Sequence, residues 1–120
     1  CKANEPGIVM LNNPMRSLND DGGDLVVIFN IAEGGAPHYL YGRWGSIPIG
    51  GWDWQEPKGL PPKVNRLFIF SQHIDRGSDW WFGPSEKLNW IQEWPKLVEQ
   101  LGAGAKKVAV YPDATVQMIV

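Results

Sequence analysis

The sequence predicts an α+β domain: a mainly antiparallel sheet of six or seven strands, one C-terminal helical segment and a terminal β-hairpin. Three observations lead there. Short β-branched and aromatic runs recur between turn residues. Only one stretch, after Ser85, repeats apolar residues at helical spacing. Pro112-Asp113-Ala114 sits between two apolar runs, as in a hairpin turn.

The elements follow in order. Residues 1–7 read as a polar tether ending in Pro6-Gly7, and residues 8–120 as one globular domain. Ile8 to Leu11 is a short apolar run, expected as a first strand that stops at Asn12-Asn13-Pro14. Asn19-Asp20-Asp21-Gly22-Gly23 is a strong turn signal. Asp24 to Ile31 is almost continuously apolar and reads as a central strand buried on both faces. His38 to Trp44 is a second strand. Gly45 to Pro62 holds four glycines and four prolines and has no period, so it reads as a long loop. Val64 to Gln72 is the next strand, with Val64, Arg66, Phe68 and Phe70 on one side and Leu67 and Ile69 on the other.

Ser85 is placed to cap a helix in which Leu88, Ile91, Trp94, Val98 and Leu101 share a stripe. Trp90 lies near the edge of that stripe. Pro95 must kink this helix or restart it, and Gly102 should stop it. Lys106 to Tyr111 and Thr115 to Val120 are the strands of the expected hairpin.

Composition limits the functional classes. The chain has 120 residues, a net charge of −2 and Lys106-Lys107 as its only basic doublet, so it carries no nucleic-acid footprint. A single cysteine makes no internal disulfide, and no Cys/His cluster suggests structural zinc. The longest apolar run, Leu25 to Phe29, is far short of the roughly 20 residues that span a bilayer. No cofactor and no metal are expected.

Catalytic signals are weak. His73 and Asp75 would face the same way in a strand and could pair as base and orienter, or hold a metal with His38. No fixed spacing supports this, and an Asp capping a turn at Arg76-Gly77 explains the pair more simply. Ser46 and Ser71 lack the nucleophile-elbow pattern. Gly102-Ala103-Gly104 before Lys106-Lys107 follows a helix rather than a strand, so it is a helix stop and not a phosphate loop.

Tryptophan is the sharper feature. There are 7, and Trp52, Trp54, Trp80 and Trp81 fall in irregular segments. Exposed loop tryptophans anchor protein interfaces, and they also stack on sugars. Equally, they can fold back and plug the sheet ends. The expected binding set is Trp52, Asp53, Trp54, Asp75, Asp79, Trp80 and Trp81, with Glu33 and Glu56 adding acidic charge.

The chain begins with Cys1-Lys2 and has no initiator Met. In this it resembles mature bacterial lipoproteins, whose N-terminal cysteine carries lipid after a signal peptide is removed. The resemblance implies lipidation at Cys1 and an anchored, periplasm-facing location. A residue other than Asp after the cysteine implies the outer membrane. The expected function is then a stoichiometric protein-binding module. Small immunity or inhibitor lipoproteins offer an analogy, without a shared motif. The alternatives are a glycan-binding module using the loop tryptophans, and a small hydrolase or metal enzyme using His73, Asp75 and His38.

Overall fold

A computed structural model describes residues 12–28, 30, 32, 60–76, 79, 86–104 and 107–112. Among these, the architecture is a three-stranded, all-parallel sheet with a helix on each face. The elements are α1 (Asn12–Ser17), β1 (Gly23–Ile28), β2 (Val64–Phe70), β3 (Leu88–Ile91) and α2 (Trp94–Leu101). The sheet order is β1-β2-β3, and both pairings are parallel. The expected mainly antiparallel sheet of six or seven strands is therefore overturned.

The sequence carries a physical reason for the parallel arrangement. Parallel strands are covered on both faces and read as unbroken apolar runs. β2 is such a strand: Leu67, Phe68 and Ile69 are all fully buried. It is β2 that occupies the centre, not β1. In β1 only Leu25 is buried, and Ile28 is 61% exposed. The strands β1 and β2 are 35 residues apart along the chain, from Ile28 to Val64, too far for a tight hairpin.

The two faces build two cores. Leu25, Val64, Leu67, Ile69 and Trp90 cluster on one face, covered by Met15, Leu18 and Leu60. Phe68, Ile91 and Leu97 cluster on the other, joined by Phe70 and Leu101. The expected side-chain alternation in β2 holds for Arg66, Phe68 and Phe70, and for Leu67 and Ile69. It fails at Val64, which joins the Leu67 face. The β1–β2 register runs Gly23 to Val64 and then Asp24 to Arg66, so Asn65 is an extra residue. An extra residue of this kind shifts the pleat by one and turns Val64 over.

The turn at Asn19 to Gly23 forms as expected. Gly22 N–H donates to Asn19 O at 3.0 Å, and Gly22 holds φ +93°, a conformation natural to glycine. Gly23 N–H then donates to Lys63 O at 3.0 Å and starts the sheet. The helix α1 occupies Asn12-Asn13-Pro14, where the sequence suggested only a stop. Proline is tolerated in a first helical turn because its missing N–H has no partner there. Arg16 lies in the last turn, where the helix dipole favours a cation.

The single helix expected after Ser85 is two elements. Leu88–Ile91 is β3, and the helix starts only at Trp94 with Pro95 in its first turn. Leu88 and Ile91 are three apart, so they mimic a helical stripe. In the strand they point to opposite faces, and each meets its own core. Pro95 thus restarts the chain as a helix rather than kinking it. Gly102 stops it as expected: its φ is +74°, and its N–H donates to Val98 O and Glu99 O at 3.1 Å each. Residues 107–112, half of the expected hairpin, lie in neither helix nor strand. The expected elements Ile8–Leu11, His38–Trp44 and Thr115–Val120 lie outside the described residues.

Candidate functional site

The second core is covered unevenly, and this creates the candidate site. α2 runs antiparallel to β2: Trp94 meets Phe70 edge-on at 5.4 Å, while the carbonyl of Gln100 accepts a hydrogen bond from Arg66 at 3.0 Å. Leu97 points at the sheet and is fully buried. The hand of the arrangement then follows from stereochemistry. Leu67 N–H donates to Lys87 O, on the β3 side, so the backbone of Phe68 turns towards β1. For L-residues this places β1 to the right of β2 when the α2 face is viewed with the strands pointing up. A right-handed helix descending over that face carries residue 98, 100° beyond Leu97, to the right as well. Trp94, one turn earlier, shares that side.

The side chains of Val26 and Ile28 come from the β1 positions opposite Phe68 and Phe70, so they lie on this same face. Four apolar groups therefore border a strip between α2 and β1 that no described element covers. Their exposures are 36% for Val26, 61% for Ile28, 51% for Trp94 and 51% for Val98. Phe70, half-buried, forms the floor.

Charge closes one end of the strip. Asp24 accepts hydrogen bonds from Nε and Nη2 of Arg66, the former at 3.1 Å. The hydrogen bond from Arg66 to Asp24 lifts the guanidinium pKa above its ordinary value, against a smaller desolvation effect. Arg66 also lies 4.9 Å over the Phe68 ring. One guanidinium thus ties β1, β2 and the C-terminus of α2 together.

Open parallel sheets often place ligands at the carboxyl ends of their strands. Here that rim is already occupied by its own polar groups. Asn30 Oδ1 accepts from Gln72 N–H at 2.9 Å, and Gln92 Nε2 donates to Gln72 O at 2.8 Å. These amides extend the ladder beyond the strands. Ser71 is fully buried, and its hydroxyl accepts from His73 N–H and donates to His73 O, both at 3.0 Å. A hydroxyl turned into its own backbone turn is not presented as a nucleophile.

The sequence-predicted site residues separate into two groups. Trp52, Asp53, Trp54, Trp80, Trp81, Cys1 and His38 lie outside the described residues, as do Glu33 and Glu56. His73 is exposed, and Asp75 is half-buried with an interaction of its own. Asp79 is bound into the core edge. Its Oδ1 accepts from Trp90 Nε1 at 2.6 Å, and its Oδ2 lies 3.8 Å from Arg76. Among the described residues no group of three His, Cys, Asp or Glu could hold a metal ion, and no helix is long and apolar enough to cross a membrane. The strip of Val26, Ile28, Trp94 and Val98 was not anticipated. The sequence placed Trp94 and Val98 on the apolar stripe of a helix and Val26 and Ile28 in a buried strand, so nothing in it marked the four as exposed. No family model, curated protein or solved structure matches this chain.

Proposed function

We propose that this protein is a stoichiometric protein-binding module, and that the uncovered strip between α2 and β1 is one of its contact surfaces. The observation that supports the reading is the half-exposed set of Val26, Ile28, Trp94 and Val98 on one face. Contiguous apolar groups rimmed by polar ones mark interaction sites more often than isolated exposed residues do. Trp94 is the natural anchor, since tryptophan concentrates binding energy when a partner buries it. The sequence-expected residues Trp52, Asp53, Trp54, Asp75, Trp80 and Trp81 extend the proposal as further contacts.

The test compares wild type with Ile28→Lys and Val98→Lys, each first shown to melt as wild type does. A partner captured from envelope extract is purified and titrated back. The reading expects one-to-one binding that both substitutions weaken at least about tenfold, as loss of an interface anchor does. Binding that is unchanged in both variants removes the strip from the proposal. Loss on Trp52→Ala or Trp80→Ala alone would move the site to those tryptophans.

A further inference from the structure

We propose that two copies of this chain associate through Lys107–Tyr111, pairing as antiparallel strands about Ala109. The segment reads Lys-Val-Ala-Val-Tyr, a β-rich composition that the sequence predicts to be a strand. Among the described residues it joins no helix and no strand ladder. Val108 is 74% exposed and Val110 75%, more than Val26, Ile28, Ile74, Trp94 or Val98. The segment is nonetheless fixed at one end, because the hydroxyls of Tyr111 and Ser17 are hydrogen-bonded, joining it to the end of α1. An apolar segment with strand propensity and no ladder is a template for another strand.

A second copy is the occupant that fits, because the segment is self-complementary. About a two-fold axis at Ala109, Val108 lies opposite Val110 of the other copy, and Ala109 lies opposite itself. Val108 and Val110 alternate onto one face, so two copies bring four valines together on that face. The smallest side chain stands at the axis, where the strands must approach. Each Lys107 falls opposite a Tyr111, so the two lysines sit at opposite ends and no like charges meet. A pairing this short lies below the size of a stable interface, so the dimer is weak and concentration-dependent.

The experiment uses the full chain with Cys1→Ser to remove the native thiol. Sedimentation from micromolar to millimolar concentration should show a monomer–dimer equilibrium. Residues directly opposite in an antiparallel pair have Cα atoms about 4.5–5.5 Å apart, within disulfide range. Ala109→Cys should therefore oxidise to a disulfide-linked dimer, while the exposed control Ala103→Cys should not. Val108→Lys with Val110→Lys should abolish the dimer at every concentration. Ile28→Lys should leave it intact, which separates this proposal from the strip between α2 and β1. A chain that stays monomeric throughout overturns the proposal. So does a dimer that survives the double lysine variant, or equal cross-linking at 103 and 109.

Discussion

Gly22→Ala should destabilise the domain by about 2–3 kcal/mol, from two separate causes. Gly22 holds φ +93°, and an L-residue in left-handed backbone costs about 1–2 kcal/mol. A methyl group there would also stand 2.8 Å from Asn65 Oδ1 and 2.9 Å from Lys63 O. The asparagine can rotate away, but the carbonyl cannot move freely. Lys63 O accepts from Gly23 N–H at 3.0 Å, and the next residue, Val64, donates its N–H to Pro61 O at 3.0 Å. Displacing that carbonyl weakens the first β1–β2 bond, worth about 1 kcal/mol. Urea denaturation with linear extrapolation measures the sum. Gly104→Ala is the control, because a methyl there meets nothing within 4 Å, and its stability should stay within about 0.5 kcal/mol of wild type. Asn65→Ala in the Gly22→Ala background should recover only a minor part, since the backbone cost and the Lys63 contact remain. If Gly22→Ala matched Gly104→Ala, the proposed junction of turn and sheet would be wrong.

Two further substitutions probe the faces of the sheet. Leu97→Ala should cost about 2–5 kcal/mol, the range for emptying a buried leucine site, because Leu97 is the fully buried residue of α2. Thermal unfolding followed by circular dichroism measures it, and a loss under about 1 kcal/mol would mean that α2 does not pack as described. Asp79→Ala should cost about 1–3 kcal/mol by removing the hydrogen bond that Asp79 accepts from the Trp90 indole, whereas Asp79→Asn keeps an oxygen in place and should retain most of the stability. Equal losses in the two variants, read from denaturant midpoints, would show that the carboxylate charge matters more than the hydrogen bond.

Local signals in the sequence were reliable where one residue decides the conformation. Gly22 and Gly102 each take a positive φ that other residues resist, and Pro95 interrupts any helix that does not begin with it. The β2 strand was legible from Val64 to Phe70 because its apolar density admits little else. The sheet direction was not legible, since pairing depends on which distant runs meet. β3 was misread because a strand between two cores needs apolar residues on both faces. Leu88 and Ile91 then repeat at an interval that a helix would also produce. Val64 was misplaced because the extra residue at Asn65 leaves no mark in composition.

The site followed the same division. Asp79 stood out as a polar residue beside Trp80 and Trp81 in the sequence, and the structure gives it a partner in Trp90 that no spacing rule would pick. Val26 and Ile28 looked like core, because a strand run of Leu-Val-Val-Ile carries no hint that these two side chains stay exposed beside α2. The strip exists through the relation between helix position and sheet width, which is a tertiary property.

That uneven cover is the account's central claim, and methyl relaxation by a soluble paramagnetic probe tests it directly. The account predicts strong relaxation at the methyls of Val26, Ile28 and Val98 and little at those of Leu67, Ile69 and Leu97. Methyls of Ile28 and Val98 as protected as those of Leu97 would mean that the face is closed, and would contradict it.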